Sequence, residues 1–324
     1  MNILVTGGAG YIGSHTVKLL NEQNYDVIVF DNLSRGHIES LSEKVKFENV
    51  NLLDYEKTKQ VIKNYNIDAV IHFAAFAYVG ESVERPDLYY TNNIIGSLNL
   101  VNLLKENGIK KIVFSSTCSL YGNPKKIPIS ENKKENPINP YAKTKYMIEN
   151  ILKDFDHSFN IKFVSLRYFN AAGADFSGNI GESHNPETHL IPLVLQTALG
   201  RRDKIIIFGD DYKTPDGTCV RDYIHVNDLA EAHIKALVYL NENHLSNIIN
   251  LGTGKGYSVK EIINIAKDIT QLNIKSRISK RRPGDPAILI ADNKKAKKIL
   301  NWQPKYDLYN IIKSAWNWHK KPKY

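Results

Sequence analysis

Tyr141 and Lys145 stand four residues apart in Asn-Pro-Tyr-Ala-Lys-Thr-Lys. The proline opens a helix, so both side chains share one helix face. A phenol with its ordinary pKa of about 10 is a poor base at neutral pH, but a neighbouring ammonium favours the phenolate. Such a pair suits a reaction in which an alcohol loses its proton while its carbon loses hydride. A Tyr and a Lys at this spacing also occur on plain amphipathic helices, and Thr117 supplies a third group. It follows the strand-like run Lys111 to Ser116 and emerges at the C-terminal edge of a sheet. A hydroxyl there can bond a substrate oxygen and relay its proton to Tyr141; the alternative is a capping or loop threonine. Cys118 follows without a His or second thiol to activate it, and reads as a packing residue.

Hydride needs an acceptor, and residues 3–15 provide a place for one. Ile3, Leu4 and Val5 read as a buried strand, Gly7, Gly10 and Gly13 as a tight turn, and Ile12 to Leu20 as a helix. Backbone N–H groups of such a turn approach a pyrophosphate at the positive end of the helix. Val27 to Phe30 forms a second strand that ends in Asp31, roughly 20 residues beyond the glycines. An acid there accepts from ribose hydroxyls and repels a 2′-phosphate, which indicates NAD rather than NADP. Arg35 and His37 nearby count the other way.

Stepping along the chain, strands are expected at 2–6, 26–30, 45–49, 69–73, 111–116 and 161–168, with helices at 12–23, 55–64, 88–107 and 140–156. This alternation predicts an α/β fold with a doubly wound parallel (Rossmann) sheet. After Asn170 the pattern loosens into a smaller C-terminal lobe. It holds a helix at 189–200, a strand at 205–208, a strand and helix through 223–241, a strand at 247–251 and helices at 258–270 and 308–319. The expected division is 1–170 for the dinucleotide and mainly 171–324 for a substrate, with about 218–251 returning to the first unit.

The 324 residues carry a formal charge of +9, but the lysines are scattered. No basic stripe is interleaved with aromatics, so no nucleic-acid partner is expected. The densest basic stretches are Ser279 to Arg282 and Lys294 to Lys298, the latter reading as a solvated helix face. Apolar runs fall short of the roughly 20 residues that span a bilayer, and no secretory leader is expected ahead of the first strand. Cys118 and Cys219 are the only cysteines. They make neither a disulfide framework nor a metal-ligand spacing, so the expectations are no membrane, no metal and a cytoplasmic location.

Later motifs are more specific than the glycine turn. Gly-Gly-Ala-Gly-Tyr-Ile-Gly-Ser, His-Phe-Ala-Ala, Gly-Glu-Ser-Val, Ser-Ser-Thr, Tyr141 with Lys145, Leu-Arg-Tyr-Phe-Asn (166–170), Asp-Gly-Thr-Cys-Val-Arg-Asp-Tyr-Ile-His-Val (216–226) and Arg-Arg-Pro-Gly-Asp (281–285) together resemble the UDP-glucose 4-epimerases. These are extended short-chain dehydrogenase/reductases. The resemblance, nearly end to end, implies reversible inversion at C4 of a UDP-hexose through a transient 4-keto sugar, with tightly bound NAD. It implies Tyr141 as base, Thr117 as relay and Lys145 as the group on the nicotinamide ribose. Gly7, Gly10, Tyr11, Ile12, Gly13, Asp31, Asn32, Asn51, Leu52, Phe73, Ala74, Ala75, Asn92, Ser115 and Tyr168 would line the cofactor. Asn170, His189, Leu190, Phe208, Arg221, Arg282, Asp285 and Leu289 would line the UDP-sugar. Arg221 and Arg282 suit a diphosphate; an ion pair with Asp222 or Asp285 is the alternative.

The chain departs from the family's pattern at Ala77, where a basic residue is common, at His189, where many relatives carry Asn, and at Leu289, where relatives restricted to glucose and galactose carry Tyr. The resemblance also implies a homodimer, joined through the helix after Pro86 and the Tyr141 helix. Leu88, Ile94, Leu98 and Val101 on one, and Met147, Ile148 and Leu152 on the other, would cover the seam; the alternative is that they all face the sheet. Other readings are a UDP-pentose 4-epimerase, a decarboxylase, a 4,6-dehydratase and a non-catalytic NAD-binding regulator. The dehydratase needs an added acid and base where Cys118 and Ser119 stand, and the intact Thr117, Tyr141 and Lys145 argue against the silent regulator.

Overall fold

Strands buried on both faces need apolar residues at successive positions, and the central strands have them: Ile3, Leu4, Val5, Val29, Ala69, Val70 and Ile71 are fully buried. A computed structural model describes residues 1–282 and 285–324. Pro283 and Gly284, within the Arg-Arg-Pro-Gly-Asp stretch, lie outside the described residues. Seven strands, β1 (Asn2–Thr6), β2 (Asp26–Asp31), β3 (Lys46–Asn49), β4 (Ala69–His72), β5 (Lys111–Thr117), β6 (Lys162–Tyr168) and β7 (Asn247–Leu251), form one sheet. Its order is β7-β6-β5-β4-β1-β2-β3 and every pairing is parallel. The order reverses between β4 and β1, so a crevice opens at their C-terminal ends.

Helices cover both faces. Val17 and Leu20 of α1 (Tyr11–Glu22) and Leu229, Leu237 and Leu240 of α5 (Val226–Asn243) pack with Ile3, Val5 and Val29. On the other face Leu100 and Leu104 of α3 (Gly96–Glu106) and Ile148 and Leu152 of α4 (Pro140–Phe159) pack with Leu4, Ile28 and Val70. The shorter α2 (Tyr55–Ile62) also belongs to this layer through Ile62.

The helix expected at 88–107 is not continuous. A turn at Pro86–Tyr89 leads into a π-helical stretch, Tyr90–Ile95, before α3 begins. The cause is Asn93, fully buried, whose amide accepts from Phe76 N at 2.8 Å and donates to Phe76 O at 3.0 Å and to Thr144 Oγ1 at 3.1 Å. A wide turn carries the extra residue that these bonds require.

Val194, Leu195, Ile262, Ile263, Leu308 and Ile311 make a separate core shared by helices Leu190–Ala198, Val259–Thr270 and Leu308–Lys320. Strand Ile205–Phe208 pairs with Ser276–Ser279, a strand with no alternating pattern in the sequence. Val220–Arg221 lies between Tyr257–Ser258 and Ile288–Leu289. The basic 294–298 stretch forms the helix Lys294–Leu300, with Ala296 and Leu300 inward and Lys294 in solvent. Among the described residues, no helix is long and apolar enough to cross a membrane.

Candidate active site

Thr117 ends β5, and Tyr141 and Lys145 lie on the first two turns of α4, which Asn139 caps through Ala142 N at 2.8 Å. All three are buried. The Lys145 ammonium donates to Ser115 O at 2.8 Å, and Ser115 Oγ bonds the Tyr168 hydroxyl at 2.6 Å. Burial pushes Lys145 down to about 7, opposed by the Glu149 carboxylate. Burial, helped by Tyr168, holds the Tyr141 phenol well above its ordinary value, while the Thr117 side chain pulls it the other way. The expectation that the ammonium favours the phenolate is therefore outweighed by desolvation in the protein alone. A bound cationic group would add to the Lys145 charge in lowering the phenol's pKa. Burial raises the Cys118 thiol to about 12, in keeping with a packing role.

A buried network behind these groups escaped the sequence reading. Glu149 accepts from Ser116 Oγ at 2.6 Å and from Arg167 Nε at 2.9 Å, while Arg167 also reaches Tyr121 at 3.0 Å and Glu135 at 2.6 Å. Glu149 and Arg167 are both fully buried. Ser116 and Arg167 adjoin Ser115 and Tyr168, so the ion pair clamps the ends of β5 and β6 to α4. Two signals were present: Glu149 follows Lys145 by one helix turn, and Arg167 interrupts an apolar strand.

The dinucleotide cradle passes a steric test. Gly7 has φ +71° and a Cβ there would stand 2.5 Å from Ala74 N; one at Gly13 would stand 2.2 Å from Gly7 O. Gly10 precedes α1, and no side chain caps the helix among the described residues. That leaves first-turn N–H groups for an anion. Asp31 accepts from Ala9 N at 3.0 Å and Leu33 N at 2.8 Å, with acceptor capacity left over. Burial raises its carboxyl, and these N–H groups oppose the rise. Arg35 pairs with Glu81 at 2.7 Å and lies over the Tyr78 ring, while His37 stacks on Tyr324. Neither basic side chain is turned to a 2′-phosphate.

The remaining expected cofactor residues have surroundings of several kinds. Ala74 N donates to Thr6 O, Phe73 packs on His233, and Asn92 bonds Asn93 beside the π turn. The Tyr11 hydroxyl donates to Gly173 O at 2.6 Å. Ile12 packs against the core beneath α1, and Ala75 is half-buried. Asn32 caps Ser34 N. Asn51 is exposed with its side-chain oxygen on Leu53 N, and Leu52 is buried in the core.

On the substrate side, Arg221 is buried and pairs with Asp285 at 2.7 Å. The Arg282 guanidinium lies 4.0 Å from the Phe208 ring centre. Of the two partners in the ion-pair alternative, Asp285 holds Arg221, whereas Asp222 is committed elsewhere: it accepts from Thr253 N, Gly254 N and Ala291 N. Asn170 N bonds Asp222 O. Leu289 pairs in register with Arg221 and packs among Cys118, Tyr121 and Phe169. Leu190 opens the helix that His189 precedes. His189 Nδ1 lies 2.6 Å from Glu182 and 3.1 Å from Glu187. Burial disfavours its charge, but Glu182 and then Glu187 outweigh that and hold its pKa above the ordinary range. His184 joins the same group at 3.1 Å from Glu182, a convergence that the cysteine-based search for metal ligands missed.

Comparison with known proteins gives this geometry its relatives. Residues 3–252 match the NAD dependent epimerase/dehydratase family. A UDP-glucose 4-epimerase of Halalkalibacterium halodurans is 52% identical over 99% of this chain and 96% of that protein. The crystal structure of UDP-glucose 4-epimerase from Brucella ovis in complex with NAD superposes with a TM-score of 0.95 at 46% identity, covering 97% of each chain. The UDP-Glc/GlcNAc 4-epimerase from Campylobacter jejuni gives 0.87 at 42% identity, covering 99% of each. With the Rossmann sheet, the glycine cradle, Asp31 and the Thr117, Tyr141 and Lys145 set all in place, the chain belongs to the NAD dependent epimerase/dehydratase family, in its UDP-glucose 4-epimerase branch.

Proposed function

We propose that this protein interconverts the C4 epimers of a UDP-hexose through a transient 4-keto sugar, retaining its NAD throughout. The observation that supports this most directly is Thr117 beside Tyr141, with Lys145 one turn further on, at the strand ends that border the glycine cradle. Tyr141 takes the proton of the sugar's 4-hydroxyl, through Thr117, and returns it on the other side of the cycle. Lys145 binds the nicotinamide ribose and supplies positive charge to the phenol. NAD, when bound, supplies the acceptor and donor of hydride. The Gly7 to Gly13 turn and Asp31 hold it. Arg221 and Arg282 bind the diphosphate, Asp285 the uridine ribose, and Phe208, Asn170, His189 and Leu190 complete the pocket. Residues 1–170 with about 218–251 form the cofactor unit, and the rest of 171–324 the sugar-nucleotide lobe.

Cys118, with its pKa near 12, and Ser119 are poor acid–base groups, which counts against the 4,6-dehydratase. Leucine at 289 in place of a tyrosine leaves room for an acetamido group, so both the glucose/galactose and the N-acetylated pairs are substrates. Two copies associate through exposed Ile95, Leu98 and Met147, and the enzyme works in the cytoplasm. Val101, Ile148 and Leu152, expected at that seam, instead face the sheet.

The test is to incubate purified protein separately with UDP-glucose, UDP-GlcNAc and UDP-xylose without added NAD, and to identify the sugars formed. UDP-galactose and UDP-GalNAc are expected, and denatured enzyme should release NAD or NADH. Stoichiometric NADH appearing in solution during turnover would overturn the closed redox cycle.

A further inference from the structure

Glu182, His184, Glu187 and His189 lie within one eight-residue loop, and one ligating atom from each falls within 4.8 Å of all the others. His189 Nδ1 is 2.6 Å from Glu182 and 3.1 Å from Glu187, and His184 Nδ1 is 3.1 Å and 3.8 Å from the same two carboxylates. Four donors around a zinc-sized ion, with bonds of about 2.0–2.2 Å, stand about 3.4 Å apart, the middle of this range.

The loop is held rather than loosely collected. Trp318 Nε1 donates to Glu182 O at 2.8 Å, and Glu187 accepts from Thr188 N at 2.7 Å and His189 N at 2.8 Å. The rings of Tyr11 and Tyr78 stand edge-on to His184, at 6.2 Å and 5.6 Å. Backbone N–H groups that orient a carboxylate are the outer-shell support a metal ligand needs.

Charge supplies a separate argument. The Glu182 and Glu187 side chains are 3% and 6% exposed, yet among the described residues neither pairs with a lysine or arginine; their ion-pair partners are the two imidazoles. A proton on His189 would balance only one of these two buried carboxylates and leave the other uncompensated, which is costly. One dication balances both. His189, 43% exposed, leaves an entry path. Against the expectation of no metal, we propose that Glu182, His184, Glu187 and His189 bind one divalent cation of the zinc class in an N2O2 set. The ion would fix the loop that leads into the helix Leu190–Ala198 at the rim of the cleft.

The test uses the intact holoenzyme, treated with chelator, desalted and titrated with ZnCl2 and, separately, CoCl2. Bound metal is counted after gel filtration, a readout independent of sugar turnover. The proposal expects about one ion per chain, a rise in Tm with zinc, and the intense visible bands of tetrahedral Co2+. His184→Gln and Glu187→Gln, each checked for full NAD content as evidence of folding, should bind more weakly by at least the about 10–100-fold that loss of outer-shell partners costs. His157→Gln, on the exposed surface, should bind as the parent does. Substoichiometric metal in the parent, the weak bands of octahedral Co2+, or parental affinity in both loop variants would overturn it.

Discussion

Burial sets what Tyr141 and Lys145 can do, because each is more comfortable neutral than charged where it lies. Tyr141→Phe keeps the ring and removes the proton-accepting oxygen, so turnover should fall at least ~10²-fold with NAD content unchanged; turnover within a few-fold of the parent would remove Tyr141 from its role. Glu149 acts one step back, as a positioning residue that favours the Lys145 ammonium. Glu149→Gln withdraws that support, so Lys145 loses its proton at lower pH. Where the cation is required, the alkaline limb of the kcat profile moves to lower pH, and kcat falls more than KM changes. An unmoved limb would show Glu149 to be only a strut. Leu289→Tyr should selectively lower kcat/KM for N-acetylated sugars, and equal loss on both pairs would show that Leu289 is no gate. At this scale the sequence displayed Thr117, Tyr141, Lys145 and Asp31, because motif spacing encodes them. It hid the partners of Arg167 and Asp222, which lie in distant segments, and the convergence of the Glu182–His189 loop, which has no regular period.

Among the elements, the glycine turn has the least freedom. A methyl group at Gly13 meets the Gly7 carbonyl that the turn folds over α1, so Gly13→Ala should push the turn off the helix end. NAD recovered from purified protein should drop well below one per chain, while Gly80→Ala, with nothing within 4 Å of the added carbon, should leave it at the parental value. Long periodic elements were legible within a few residues: β5 ends at Thr117 rather than Ser116, and α4 runs to Phe159 rather than 156. The π turn at Tyr90–Ile95 was not, because the buried Asn93 that requires it bonds a loop near residue 76 and a helix near residue 144. Two-residue strands such as Ile288–Leu289 carry no period to read.

For the molecule as a whole, the exposed Ile95, Leu98 and Met147 are the surface through which association is proposed. Light scattering at micromolar concentration should give twice the 36.8 kDa chain mass, and Leu98→Glu with Met147→Glu should halve it. A monomeric parent would reject the interface. The interleaved topology has a consequence during synthesis. The sheet's outermost strand, β7, sits beside β6, yet residues 169–246 separate them. A ribosome therefore delivers much of the second lobe before the β6 edge is covered. Until Asn247–Leu251 emerges, that edge offers unpaired backbone groups to any neighbouring nascent chain. A gene fragment stopped near residue 170 would hold every motif of the cofactor cradle and still be a poor candidate for a soluble minimal binder. The nucleotide-binding half depends for its own completion on the half that follows it.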